Sequence, residues 1–139
     1  MKCRCLLILC GWVFLACLFL PGVSATDPLW TEKATTSGEL SCVVISADGS
    51  TIIAGGDQLI ALSRDGRKLW TGWSGPYLAI SRDGNYIVSS RDRTVRLLSG
   101  TGTMLWDESL DVTVMDVAMT PDASIIAAGG GSRVKLING

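Results

Sequence analysis

Histidine is absent from the 139 residues of this sequence. Because histidine is the commonest general base and the commonest metal ligand, its absence excludes an ordinary Ser-His-Asp triad and histidine-based metal centres. No Gly-Lys-Ser/Thr motif follows the glycine clusters at Gly55-Gly56 and 129–131, which excludes a phosphate-binding loop of that type. We therefore expect a protein that is not an enzyme, with no catalytic, cofactor-binding or metal-ligating residue.

Cysteine is scarce outside the N-terminus, where Lys2 and Arg4 precede an uncharged apolar segment, residues 6–20. Val23-Ser24-Ala25 follows, and the whole pattern is typical of a secretory signal helix, residues 1–25, cleaved after Ala25. It predicts a secreted or cell-surface protein. Two alternatives stay open. Residues 6–20 could remain as a membrane anchor, although they are shorter than the ~20 residues that a spanning helix needs, or Cys17 could carry a lipid.

Cleavage would change both the cysteine count and the charge. It would remove Cys3, Cys5, Cys10 and Cys17, so that Cys42 could form no disulfide within the chain. We expect Cys42 to be a small buried residue of a strand, with pairing to another chain as the alternative. Ten basic and thirteen acidic residues would remain, and this net charge of −3 argues against a nucleic-acid partner.

A β-rich unit occurs three times, over 41–70, 77–106 and, incompletely, 115–139. Its aspartates Asp48, Asp83 and Asp122 are 35 and 39 residues apart, and the tryptophans Trp30, Trp70 and Trp106 are 40 and 36 apart. Four short strands at this period, without any helical apolar rhythm, are typical of propeller blades. We predict an all-β, antiparallel, partial β-propeller over 26–139, with blades at about 40–75, 76–111 and 112–139.

Details of the unit give further expectations. Leu40 to Ile45 reads as a buried strand, and 129–131 reads as a break between two strands of the third unit. The connections at 72–76 and 107–111 are the loops that we expect to recognise a partner. That partner, a protein or a cell-surface component, is not identified by the sequence.

Two stretches, Ile45–Gly56 and Ile80–Leu98, resemble the first three strands of a WD40-type blade. The Gly-x-x-Leu-Trp endings, Gly66–Trp70 and Gly102–Trp106, resemble the quinoprotein-like, or PQQ-like, repeat. The WD40 dipeptide Gly-His is absent, and Leu97-Leu98 stands where Trp-Asp would end the third strand, so the WD40 hydrogen-bond tetrad is not expected. The resemblance implies a non-catalytic binding or structural scaffold. The alternative is a fragment of a quinoprotein-like dehydrogenase or cofactor-carrying propeller, whose cysteine pair and metal-binding acids have no counterpart here.

The candidate site residues have structural explanations. Trp30, Trp70 and Trp106 recur at one position of the repeat, which predicts packing between adjacent blades. The aspartates Asp48, Asp65, Asp83 and Asp122 lie in hairpin turns, where aspartate bonds to its own backbone. Trp73 lies outside the repeat and is a candidate surface contact. The functional reading of Arg91, Arg93 and Arg96 is a patch for an acidic partner. A solvated loop and strand edge is the alternative for the three arginines.

The phase of the repeat raises the question of closure. The mature chain would begin with a fourth-strand signature, Leu29-Trp30, and the sequence stops six residues before the next Leu-Trp would fall. Residues 29–33 could therefore complete the last blade, within one chain or between two. Three blades are fewer than the usual four to eight. We expect a piece of a longer propeller, a two-fold dimer with exchanged strands, or an open fan covered by a partner.

Overall fold

A computed structural model describes residues 28–33 and 38–139. The predicted signal peptide 1–25, its cleavage site after Ala25 and the alternative lipid site at Cys17 lie outside the described residues. Within the described ranges there is no helix, and so none that could cross a membrane. The strands are β1 (Cys42–Ile45), β2 (Thr51–Gly55), β3 (Leu59–Ser63), β4 (Lys68–Gly72), β5 (Tyr77–Ile80), β6 (Tyr86–Arg91), β7 (Thr94–Ser99), β8 (Met104–Ser109), β9 (Asp116–Met119), β10 (Ile125–Gly130) and β11 (Arg133–Asn138).

The strands form three antiparallel meanders, which we call blades 1, 2 and 3. Blade 1 has the order β1-β2-β3-β4, blade 2 has the order β5-β6-β7-β8, and blade 3 has β9-β10-β11. The first strands β1, β5 and β9 are neighbours, so the blades fan out from a common axis. The prediction of an all-β fold of antiparallel sheets with three to four strands is confirmed.

Each sheet has two faces because side chains alternate along a strand. The forward face of a blade packs on the next blade, and its rear face packs on the blade before it. Between blades 1 and 2, Ile53, Leu59 and Ala61 of the forward face pack against a rear face that comprises Leu78, Ile87 and Leu98. The second joint is built the same way from Val88, Val95 and Leu97 of blade 2 and Val117, Ile126 and Ala128 of blade 3. The core of the molecule therefore consists of blade-to-blade joints.

Three expectations about local structure are wrong in whole or in part. The segment ending at Ile45 is not a buried strand, because β1 alternates and leaves Val43 and Ile45 exposed on a rear face that no described blade covers. Cys42, on the opposite face, is half-buried and packs against blade 2. The break expected at 129–131 begins only at Gly131, since β10 continues through Gly130 and β11 starts at Arg133. The loop expected at 107–111 begins later, because β8 extends to Ser109.

Candidate functional site

The first hairpin turn of each blade is held by a hydroxyl and a carboxylate. In blade 1, the Ser46 hydroxyl donates to Asp48 Oδ1 at 2.7 Å, and the Ser50 amide donates to the same oxygen at 3.0 Å. Ser46 Oγ also accepts from the Thr51 amide at 3.0 Å. The left-handed turn position is Gly49, with φ 70°. The turn is therefore satisfied by its own residues, which is the behaviour of aspartate in tight turns.

The turns of blades 2 and 3 repeat this arrangement. Ser81 donates to Asp83 Oδ1 at 2.7 Å, and Asp122 Oδ1 accepts from the Ser124 amide at 3.1 Å. Ala123 occupies the left-handed position of blade 3 with φ 60°. Asp65 belongs to a different turn, between β3 and β4, where the Ser63 hydroxyl donates to it.

Hydrogen bonds to the ionised carboxylates lower the pKa of all four aspartates. The amide of Ser50 and then the hydroxyl of Ser46 lower the pKa of Asp48 to about 2. The pKa of Asp122 is lowered to about 2, chiefly by the Thr120 hydroxyl. The hydroxyls of Ser63 and Ser81 are the main cause of the lowered pKa values of Asp65 and Asp83. Each carboxylate accepts hydrogen bonds from its own turn, and its lowered pKa does not suit a catalytic acid or base.

Backbone hydrogen bonds join these turns across the blades. The Ala47 amide of blade 1 donates to the Arg82 carbonyl of blade 2 at 3.0 Å. The Arg82 amide in turn donates to the Pro121 carbonyl of blade 3 at 2.8 Å. Pro121 has no amide hydrogen, so this ladder of turns cannot be continued in the same way beyond blade 3.

Trp70 fixes blade 1 to the second hairpin of blade 2. Its indole Nε1 donates to the Gly100 carbonyl at 2.8 Å. Its ring lies against Gly102, where φ is 83° and an added Cβ would come within 2.8 Å of the indole. Glycine is required at residue 102 for two reasons: a side chain would disfavour the left-handed backbone, and it would collide with the Trp70 ring.

Trp30 repeats this contact one blade earlier. Its Nε1 donates to the Arg64 carbonyl at 2.8 Å, and its ring lies against Gly66, where φ is 82°. Residues 28–33 therefore pack on blade 1 in the same way that β4 packs on blade 2. Trp106 is half-buried and packs against the core between blades 2 and 3. In blade 3, Gly139 has the repeat position that Arg64 has in blade 1 and Gly100 has in blade 2.

Trp73 and Arg96 are the two predicted surface residues that the structure brings together. The Arg96 guanidinium lies 5.5 Å from the centroid of the Trp73 ring, and the indole donates to the Gly102 carbonyl at 3.3 Å. Arg91 lies 3.9 Å from Asp92 on the surface, and Arg93 is exposed. The Trp73–Arg96 pair is therefore part of the joint between blades 1 and 2, whereas Arg91 and Arg93 face solvent.

The rear face of blade 1 is apolar and uncovered. Val43 is 57% exposed and Ile45 is 58% exposed, whereas Leu78 and Val117, at the repeat position of Val43, are each 6% exposed. Trp30 covers the outer part of this face, against Ala54, Ile60 and Leu62. Beside Trp30 an open groove of about 570 Å³ runs along the β1–β2 turn, lined by residues 45–49 together with Leu29, Trp30, Ile52 and Arg64.

The forward face of blade 3 is uncovered as well. Val134 is 74% exposed and Leu136 is 68% exposed. Their repeat equivalents in blade 2, Val95 and Leu97, are 0% and 3% exposed because blade 3 covers them. The same repeat positions are therefore buried at the joint between blades 2 and 3 and exposed on blade 3, where no described blade covers them.

The remaining clusters and cavities offer few groups that could bind a ligand. Within 28–33 and 38–139, no group of three or more His, Cys, Asp or Glu side chains could hold a metal ion. A cavity of about 270 Å³ near the starts of β1, β5 and β9 has mixed charge from Glu39, Asp57, Arg91 and Asp92. The hydroxyls of Ser89 and Ser90 are buried and have no hydrogen-bond partner among the described residues. No signal in the sequence marked these serines.

The repeated four-stranded meanders, joined face to face around an axis, define a protein of the β-propeller class. The family model for the WD domain, G-beta repeat, matches residues 26–62 and 68–99, just under half of the chain. The chain therefore carries WD40-like propeller repeats. The likeness to quinoprotein-like repeats finds no support in the family comparison.

Solved structures agree with this fold. The chain is similar to the WD40 repeats of RRP9 (22% identity, TM-score 0.66), covering 75% of this chain and 36% of that one. It is similar to the β-propeller domain of Cps50 (Swd1) from Myceliophteria thermophila (17% identity, TM-score 0.66; 76% and 37% covered). It is also similar to U3-55K (23% identity, TM-score 0.66; 75% and 37% covered). The chain spans little more than a third of these structures. No curated protein sequence matches it.

Proposed function

We propose that this chain is an exported, non-catalytic scaffold that acts by binding another protein surface. One observation carries the proposal: the blade faces at both ends of the fan present large apolar side chains, Val43, Ile45, Val134 and Leu136, to solvent. Such faces are unfavourable in an isolated soluble domain and favourable in an assembly. The WD40-like repeats add support, because propellers of this kind generally mediate contacts between proteins.

The binding role is tested by the native mass of the protein isolated gently from the cells that make it. The wild-type chain is expected in an assembly larger than one chain, and Val134→Asp is expected to release a folded single chain. Leu105→Asp is the matched control, because Leu105 is 49% exposed but belongs to blade 2 and lies on neither open face. A wild-type protein found only as a single free chain would contradict the proposal.

The proposed export depends on the N-terminal pattern that ends in Val23-Ser24-Ala25. Intact-mass measurement of the protein recovered from the extracytoplasmic fraction is expected to show a chain that begins at Thr26. A chain that retains Met1, or that begins at Cys17, would contradict cleavage by a signal peptidase after Ala25.

A further inference from the structure

We propose that the Asp65-Gly66 peptide is a site of spontaneous modification, where aspartate converts to isoaspartate and Trp30 then loses its contact with blade 1. This reaction is easiest at Asp-Gly, because glycine presents no side chain that hinders attack on the aspartyl carboxyl group. The described residues contain three such peptides, at Asp48-Gly49, Asp65-Gly66 and Asp83-Gly84. The turns around them differ in how firmly they hold the carboxylate.

The reaction needs no partner other than water. The amide nitrogen of the glycine bonds to the side-chain carbonyl carbon of the aspartate, and the carboxyl group and the amide together release one water. The cyclic imide that results takes up one water again. Opening at the side-chain carbon restores aspartate, whereas opening at the backbone carbon leaves the chain connected through the side chain, as isoaspartate.

The attacking nitrogen is restrained equally in the three turns. In each turn the glycine amide donates to the carbonyl of the serine three residues earlier, at 2.9, 2.9 and 3.1 Å for Gly49, Gly66 and Gly84. A difference in rate between the turns must therefore come from the aspartyl carboxylate and the groups that hold it.

The carboxylates of Asp48 and Asp83 are each held by a backbone amide and a buried hydroxyl. The amide two residues further along the chain donates to Oδ1 at 3.0 Å in both turns. The hydroxyls of Ser46 and Ser81 donate to the same oxygens at 2.7 Å, and both serines are buried. Two bonds must therefore break before either carboxyl group can turn toward the glycine nitrogen.

The carboxylate of Asp65 is held less firmly. It accepts a hydrogen bond from the Ser63 hydroxyl, and Ser63 is only half-buried. The amide two residues further along, that of Arg67, donates to Ser63 Oγ at 3.1 Å. A single hydroxyl within reach of solvent is therefore the main restraint on this carboxylate, and Asp65 should react first.

The same peptide supports Trp30. The indole Nε1 of Trp30 donates to the Arg64 carbonyl at 2.8 Å, and its ring lies against Gly66. Isoaspartate adds one atom to the backbone between Arg64 and Gly66, so the two contacts cannot both keep their geometry. Modification would therefore release Trp30 and expose the apolar side chains that it covers, which are Ala54, Ile60 and Leu62.

Blade 2 contains the same arrangement without the reactive peptide. Thr101 has the repeat position of Asp65, and its hydroxyl lies 2.8 Å from that of Ser99. Trp70 packs there on Gly102. Threonine cannot form the cyclic imide, so Asp65→Thr is a matched variant that keeps a turn already present in the fold and removes the reaction.

The first test compares the three peptides within one sample of the purified full chain, kept at neutral pH and physiological temperature. Peptide mapping by electron-transfer fragmentation, which distinguishes isoaspartate from aspartate, is expected to show a several-fold higher rate at Asp65 than at Asp48 or Asp83. In concentrated urea the three rates should become similar, because the turns are lost. Equal rates in the folded chain, or the same order of rates in urea, would overturn the proposal.

The second test removes the hydroxyl that holds Asp65. Ser63→Ala should raise the rate at Asp65 several-fold relative to the rate at Asp48 in the same sample. A general loss of stability would accelerate both positions and leave this ratio unchanged. Ser46→Ala is the reciprocal control and should accelerate Asp48 relative to Asp65. An unchanged ratio in Ser63→Ala would show that this hydroxyl does not control the reaction.

The third test follows Trp30 itself by NMR of the full chain labelled with fluorotryptophan. As isoaspartate accumulates at residue 65, a second Trp30 signal is expected at the position that it has in the unfolded chain, whereas the Trp70 signal stays in place. The Asp65→Thr variant, kept under the same conditions, should retain a single Trp30 signal. An unchanged Trp30 signal in a sample rich in isoaspartate at residue 65 would overturn the release of Trp30.

Discussion

The indole of Trp70 lies on the backbone of Gly102, so that a side chain at residue 102 would stand within 2.8 Å of the ring. Trp30 and Gly66 have the same relationship one blade earlier, also at 2.8 Å. The joint between blades 1 and 2 therefore includes a tryptophan packed on a left-handed glycine, and residues 28–33 make the same contact with blade 1.

Gly102→Ala tests this joint directly. We expect a loss of about 2 kcal/mol or more in the free energy of unfolding, from the left-handed backbone and from the collision with Trp70. Urea denaturation followed by tryptophan fluorescence measures it. Gly131→Ala is the control, because Gly131 has φ 57° with nothing within 4 Å of an added Cβ. It should cost only about 1–2 kcal/mol. Equal losses in the two variants would show that the indole contact contributes nothing.

Ser89 and Gly75 should be energetically coupled. A Cβ added at Gly75 would overlap Ser89 Oγ, so Gly75→Ala is expected to destabilise the fold. Ser89→Ala alone should be neutral or slightly stabilising, because the buried hydroxyl has no hydrogen-bond partner among the described residues. The double variant should recover part of the loss in a thermal-unfolding cycle. Simple additivity of the two changes would contradict this contact.

The turn aspartates should make the protein sensitive to acid. The pKa of Asp48 is lowered from 3.8 to about 2 in the folded chain, so its ionised form stabilises the fold above the unfolded pKa. That stabilisation is lost as the pH falls through the folded value, between about pH 4 and pH 2. Asp48→Asn should flatten the dependence of the urea midpoint on pH in this window.

Ser46 provides the matched controls for that measurement. Ser46→Ala removes a hydroxyl that donates to Asp48 and should raise the pKa of this carboxyl. Ser46→Thr should preserve the profile, since Thr120 serves the same purpose for Asp122 in blade 3. A pH profile unchanged by Asp48→Asn would mean that the turn carboxylate does not couple to folding.

Arg96 should contribute to the stability of the joint through the face of Trp73. The ring is 43% exposed, and a cation–π contact at such a site is worth about 0.5–1 kcal/mol. Arg96→Ala should lower the free energy of unfolding by about that amount, and Arg96→Lys should restore part of it. Arg93→Ala, at an exposed arginine of the same blade, should change nothing measurable. Equal effects at both arginines would contradict a specific contact with Trp73.

Most strands could be predicted from the sequence because turn residues and β-branched runs close to each other in the chain specify them. Asp48, Asp83 and Asp122 mark hairpin turns at a regular period, and β-branched runs lie on either side. The end of β10 was missed because glycine in sequence usually indicates a break, yet Gly129 and Gly130 pair with Val134 and Arg133 of β11.

The candidate site was less accessible from the sequence, because it depends on which faces meet. Val43 and Val117 occupy the same repeat position, and only the presence or absence of a preceding blade decides that one is exposed and the other buried. The contact of Trp70 with Gly102 was not predicted, although Gly66 and Gly102 stand at one repeat position, each four residues before a tryptophan.

The ladder from Ala47 through Arg82 to Pro121 gives the three repeats a fixed order. Ala47 and Arg82 each donate to the blade that follows, whereas Pro121 can only accept. A rearranged gene that placed the third repeat before the first would lose a backbone hydrogen bond in the interior of the fan. The repeats are therefore similar in shape but not equivalent in their hydrogen bonding across the blades.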